Sequence, residues 1–200
     1  MKYNIIEIFS SIQGEGQFTG TPVVFVRFAG CNKQCRFCDT EWKEENSRSM
    51  TGQEILTEVK KYNSKYVVFT GGEPALSLTP DLLRLFDNFW LHLETNGSIE
   101  LSIDLLVYLD WITVSPKQAL SSTYFKYANE IKFLYPYITE PSEEVLSNNN
   151  KLKYIVPIWT EDKKEYAKNL SSALAEVERL TPISKNVRLG VQLHKYLDVQ

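Results

Sequence analysis

The sequence predicts an α/β fold, an incomplete TIM-type βα barrel of about six mostly parallel strands. Three observations carry that expectation. Short runs rich in β-branched and aromatic residues alternate with helix-like stretches, the pattern of parallel strands joined by right-handed crossovers. The chain has 200 residues, short of the roughly 250 of a full eight-stranded barrel. The notable polar stretches all fall just after predicted strands, at the carboxyl end of a parallel sheet, where such folds place their sites.

The elements follow in order. "PVVFVRF" (22–28) reads as a buried strand, and a loop holding every cysteine follows it. Thr51 with Glu54 forms a capping-box pattern that opens a helix over 52–63. "YVVFT" (66–70) is the next strand and "GGEPALS" its loop. Thr79 and Pro80 start a helix over 80–89. "WLHLET" (90–95) is a strand, "NG" a turn, and Ser102 caps a helix over 102–109. "WITVS" (111–115), "EIKFLY" (130–135) and "KLKYIVPI" (151–158) are further strands. "TEPSEEVLSNNN" supplies a short helix and a polar turn between the last two. Residues 161–180 form the longest helix, with an apolar stripe of Tyr166, Leu170, Leu174, Val177 and Leu180. The final run begins as a strand and ends as a tail. Residues 1–200 therefore make one domain, with a tail closing its pocket at about 190–200.

Hydrophobic residues make up 43% of the chain, enough for a core, and the formal net charge of −3 argues against broad nucleic-acid affinity. Glu7 interrupts the one apolar run near the N-terminus and no cleavage pattern follows, so no signal peptide is expected. No run approaches the roughly 18 apolar residues of a membrane span. The expectation is a cytoplasmic protein with reduced cysteines.

Those cysteines are Cys31, Cys35 and Cys38, in "GCNKQCRFCDT". A structural zinc ion wants four ligands, and the only histidines, His92 and His194, lack the local spacing. An electron-transfer cluster also wants four cysteines. Three thiolates leave one iron of a four-iron, four-sulfur cluster open to a small molecule.

The C-x3-C-x2-C pattern, with Phe37 before the third cysteine, resembles the radical S-adenosylmethionine (SAM) superfamily. The resemblance implies a 4Fe-4S cluster on the three cysteines, SAM on the open iron, and reductive cleavage of SAM to a 5′-deoxyadenosyl radical. "TGGEP" (70–74), "ETNG" (94–97) and "SPK" (115–117) follow successive strands and extend it. It implies SAM contacts at Phe37, Cys38, Asp39, Gly72, Ser115, Pro116 and Lys117.

"SIQGEGQFTGTPVVFVRFAGCNKQCRFCDTEW", these three motifs and the terminal "QLHKYL" resemble the 7-carboxy-7-deazaguanine synthase family. That resemblance runs from about Ile5 to the C-terminus, thinly over 120–190. It implies conversion of 6-carboxy-5,6,7,8-tetrahydropterin to 7-carboxy-7-deazaguanine, by hydrogen abstraction at C6, ring contraction and loss of ammonia. It also implies Mg2+ on Thr40, a homodimer, and an electron donor such as flavodoxin or ferredoxin. Substrate residues would be Ile12, Gln13, Gly14, Glu15, Arg27, Thr70, Glu94, His194 and Gln200. Arg27 offers a planar fork for the substrate carboxylate, and Glu15 an acceptor for pterin N–H groups. Gln200 would present its α-carboxylate to the pterin. Proton transfers fall to Glu15, Glu94 or His194. Two other readings remain: an activating enzyme of anaerobic ribonucleotide reductase, or a non-enzymatic iron–sulfur or zinc module.

Overall fold

Nine strands form one open sheet in the computed structural model, which describes every residue from Met1 to Gln200. They are β1 (Lys2–Ile12), β2 (Pro22–Phe28), β3 (Arg48–Thr51), β4 (Tyr66–Gly71), β5 (Trp90–Thr95), β6 (Trp111–Val114), β7 (Glu130–Tyr135), β8 (Leu152–Pro157) and β9 (Val187–Leu189). The helices are α1 (Gly52–Val59), α2 (Pro80–Arg84), α3 (Ile103–Leu106), α4 (Ser122–Tyr127), α5 (Glu143–Ser147), α6 (Lys163–Leu180) and α7 (Leu193–Leu197). The strand order is β3-β1-β2-β4-β5-β6-β7-β8-β9. From β2 to β9 every pairing is parallel.

The six strands expected from the sequence are β2 and β4 to β8. The sheet adds β1 and β3, and the strand expected at the start of the final run is its last, β9. β1 pairs antiparallel with β2 and β3 antiparallel with β1, while β9 extends the parallel run. β1 escaped sequence reading because its register shifts between Ile5 and Glu7, which breaks the alternation that marks a strand. The helices are shorter than their periodic patterns, α1 ending at Val59 and α2 at Arg84.

Local chemistry sets the helix starts. Thr51 accepts from the Glu54 amide while Glu54 accepts from the Thr51 amide at 2.6 Å, closing a capping box on α1. Asp162 takes the amides of Lys164 and Glu165 and opens α6. α6 buries Tyr166, Ala173 and Leu180, with Leu170 and Val177 half-buried beside them. Leu174, expected in that stripe, is 47% exposed, because the buried face runs through Ala173 instead.

The main core lies between the sheet and its helices and includes Phe28, Ile55, Phe69, Leu82, Leu83, Phe86 and Leu93. Each such side chain contributes about 1.5–3 kcal/mol by leaving water. The inner face of the sheet is different, and alternation along the strands gives it layers. At the base, Phe18 packs edge-on against Trp90 and Trp111, with ring centroids 4.6 and 4.9 Å away. Above it, His92 Nε2 lies 2.6 Å from Thr113 Oγ1, and Thr113 donates to Glu130 at 2.8 Å. Glu130 also accepts from the Gln17 amide at 2.9 Å. The loop after β1 is thus tied to the inner face of β7. The third layer, at the carboxyl ends, carries the site.

Candidate active site

Backbone contacts assemble the site first. The Gly72 amide donates to the Phe28 carbonyl at 3.0 Å and the Glu73 amide to the Gly30 carbonyl at 2.8 Å. Gly71 has φ +137°, and a Cβ there would strike the backbone of Phe28. A Cβ on Gly72 would strike the Gly30 carbonyl. Only glycine lets the loop after β4 close against the loop after β2. Glu73, fully buried, accepts from Thr95 Oγ1 and the Asn96 amide at 2.7 Å each. Burial pushes its carboxyl pKa up, and these donors oppose that. Glu73 thereby ties three neighbouring strand ends together, its amide reaching the loop after β2 and its carboxylate the end of β5.

Cys31, Cys35 and Cys38 are free thiols lining one cavity of about 250 Å3 with Phe37, Gly72 and Lys117. Burial raises the Cys31 thiol, and the Lys33 amide opposes this by donating to its sulfur at 3.4 Å. Lys117 donates to Ser115 Oγ at 2.9 Å and lies over the Phe37 ring at 5.6 Å. No fourth cysteine and no histidine lines this cavity, and no three Cys, His, Asp or Glu side chains converge as a single ion requires. The donor set fits a cluster that spreads three thiolates over separate irons, with one iron left to a small ligand.

A second cavity, of about 700 Å3, adjoins the first, and Thr40, Thr70, Glu94 and Trp159 line both. It is closed from the far side by α7 and the last residues. The Leu193 amide donates to the Gly14 carbonyl at 2.8 Å and Gln192 to Glu15 at 2.7 Å. Glu94 accepts from Gln13 and from Thr70, both at 3.1 Å. Between Glu15 and Glu94 sits Lys132, its Nζ 2.6 Å from one and 3.5 Å from the other. Burial works against charge on both partners, and the mutual attraction wins. It holds Glu94 down at about 2 and Lys132 well above an ordinary lysine.

A model of the radical SAM superfamily matches residues 25–151. The 7-carboxy-7-deazaguanine synthase of Bacteroides thetaiotaomicron is 44% identical, over 68% of this chain and 71% of that one. Those of Buchnera aphidicola subsp. Schizaphis graminum and Escherichia coli K12 are each 32% identical over the full length of both chains. The chain belongs to the 7-carboxy-7-deazaguanine synthase family. The crystal structure of QueE from Escherichia coli has the same fold, with a TM-score of 0.70 over 97% of this chain and 95% of that one, at 24% identity.

As in any radical SAM enzyme, the family brings a 4Fe-4S cluster and SAM. Most residues expected from sequence line one or both of the two cavities. Ile12, Gln13, Gly14, Arg27, His194 and Gln200 line the larger cavity, while Gly72, Ser115 and Lys117 line the cysteine cavity. Glu15, Asp39 and Thr70 line both. Pro116 does not join them, since its ring lines a separate recess with Leu120 and Phe125. Arg27 donates through Nε to Glu7 at 2.7 Å, and the Gln200 side chain donates to the other Glu7 oxygen at 2.6 Å. His194 packs on Gly14, where a Cβ would strike its ring, and burial lowers its pKa. No helix is long and apolar enough to cross a membrane.

Sequence reading missed Glu7, Lys132 and Trp159. A strand lysine ordinarily points to solvent, so "EIKFLY" gave no warning. The usable signal was that Glu130 and Lys132 share one parity, a charge pair on one strand face.

Proposed function

We propose that this chain converts 6-carboxy-5,6,7,8-tetrahydropterin to 7-carboxy-7-deazaguanine with loss of ammonia. The observation that carries the reading is the pair of adjoining cavities, one lined by three thiols and the other by paired carboxylates and an arginine.

Cys31, Cys35 and Cys38 would hold the cluster, and Phe37, Cys38, Asp39, Gly72, Ser115 and Lys117, which line the cysteine cavity, would hold SAM. Together these groups would supply the radical chemistry that abstracts hydrogen at C6 of the pterin. The chain's own task is to present that carbon to the radical, because hydrogen transfer needs position more than acid or base. Arg27, held through Nε by Glu7, would present its two terminal guanidinium nitrogens to the substrate carboxylate in a charge-assisted contact. Ile12, Gln13 and Gly14 lie along the heterocycle, and Glu15, Glu94 and Thr70 meet its polar edge. Thr40 adds a neutral oxygen for Mg2+, whose octahedron water and substrate would complete. Gln192, His194 and Gln200 close the chamber and keep water from the radical. Proton transfers after abstraction belong to Glu15, Glu94 or His194, which face the larger cavity.

A low-potential donor such as flavodoxin or ferredoxin would deliver the electron, in a cytoplasm that keeps the thiols reduced, and two copies would form a homodimer. Sedimentation of the reconstituted protein tests the dimer. The function is tested by anaerobic reconstitution with iron and sulfide, reduction, and addition of SAM, Mg2+ and the pterin. The expected product has lost ammonia by mass. SAM cleavage on cluster-loaded protein without that product would overturn the assignment.

A further inference from the structure

Two carboxylates and one ammonium meet between the loop after β1, the end of β5 and the middle of β7, and only the ammonium lacks a part in the reaction outlined above. The Lys132 side chain is 9% exposed and reaches Glu15 on the loop after β1 and Glu94 on β5. Every other contact of the two carboxylates comes from a neutral donor: Gln192 to Glu15, and Gln13 and Thr70 to Glu94. Two carboxylates facing one cavity without a cation tend to share a proton, because like charges oppose double ionisation. A shared proton turns one acceptor into a donor. An N–H edge of a heterocycle would then meet O–H instead of O−, and a hydrogen bond would become a clash of donors.

We propose that Lys132 is a positioning residue for the substrate, whose ammonium keeps Glu15 and Glu94 both as acceptors for the N–H edge of the bound heterocycle. This rests on the pterin reading above and deepens it. The other charged groups around the trio do not substitute for Lys132, and of the cations in the larger cavity Arg27 pairs with Glu7 and Lys195 with Asp39. Lys117 is turned to Ser115 and the Phe37 face, and burial lowers its pKa. His92 is neutral through burial, and burial also lowers His194 on the tail. Glu130, two residues before Lys132, is raised by burial and spent on Thr113 and the Gln17 amide. Stability alone is a weak reason for the arrangement, since a buried ion pair roughly breaks even against apolar packing.

The test uses cluster-loaded enzyme and two readouts: kcat/KM for the pterin, and equilibrium binding of the pterin to the SAM-loaded, unreduced protein. Both are followed between about pH 6 and pH 8. Lys132→Met should keep wild-type iron content and SAM affinity. It should weaken pterin binding about tenfold or more near neutrality, with a smaller change in kcat. Its binding should also fall as pH drops, an acidic limb that the wild type lacks. Lys132→Arg should restore a flat profile. Adding Glu15→Gln to Lys132→Met should abolish the limb, because no like-charged pair remains. If Lys132→Met fails to fold, the double variant is compared with Glu15→Gln alone, and their profiles should coincide within about threefold. A pH-independent loss in Lys132→Met, a limb that survives Glu15→Gln, or a double variant far from Glu15→Gln would overturn the proposal. A wild-type enzyme that binds SAM but not the pterin would instead overturn the functional reading.

Discussion

Lys195 of α7 lies 2.8 Å from Asp39 in the cysteine loop, so the C-terminal helix is pinned to the segment that carries the three thiols. Asp39 pays for partial burial, and Lys195 more than compensates, lowering the carboxyl pKa. The pair is half in solvent, so its contribution to stability is small, about 0–1 kcal/mol. Its role is to hold a wall in place.

Removal of residues 192–200 should therefore leave cluster loading and SAM binding intact and abolish turnover of the pterin. Iron analysis, SAM binding and product mass on one preparation check this. Loss of the cluster along with turnover would show that the tail holds up the cysteine loop rather than the substrate chamber.

Arg27 spends Nε on Glu7 and stacks its guanidinium over Phe9 at 5.6 Å. Its fork is thus aimed before substrate arrives. Arg27→Lys should raise KM for the pterin by roughly tenfold to a hundredfold, the range for a lost charge-assisted hydrogen bond of about 1.5–3 kcal/mol. SAM binding should not change. Wild-type kinetics in this variant would put the substrate carboxylate elsewhere.

Thr40 lines both cavities, and its hydroxyl has only Asp39 as a neighbour, at 3.5 Å. Thr40→Ala should blunt the stimulation of turnover by Mg2+ without abolishing activity, since one neutral oxygen is a minor part of an octahedron. A magnesium titration of initial rates reads this directly. An unaltered titration would remove Thr40 from the metal.

Burial holds His92 neutral, with its pKa lowered from 6.5 to about 4. The unfolded chain then binds the extra proton first. Stability from this residue is complete above about pH 6.5 and is lost as pH falls towards 4, by up to about 3 kcal/mol. Glu94 acts in a lower window, because its depressed carboxyl loses stabilisation only as pH drops from about 4.5 towards 2. His92→Asn should flatten denaturant-derived stability between pH 6.5 and 4 and leave the lower window unchanged. An unaltered slope would assign the acid sensitivity to another group.

The site was more legible in the sequence than the sheet. Cys31 and Gly72 follow predicted parallel strands, Glu94 and Ser115 lie at the carboxyl ends of two more, and parallel strands deliver their ends to one side. Knowing the strands was enough to gather these residues. β1, β3 and β9 left weaker traces, since β1 is interrupted by its register shift and the other two are four and three residues long. Lys132 was hidden for another reason. Its burial depends on carboxylates supplied by the first loop and by β5, and no local pattern in "EIKFLY" encodes partners 117 and 38 residues away.

The bond between Gln192 and Glu15 joins positions 177 residues apart. The cysteine loop and the chamber wall thus come from opposite halves of the chain. Until α7 docks on Gly14, the thiols stand beside an open cleft. Contacts of such long range form late and slowly. A chain clipped before Gln192 would keep all three cysteines and lose the wall that α7 sets against Gly14 and Glu15.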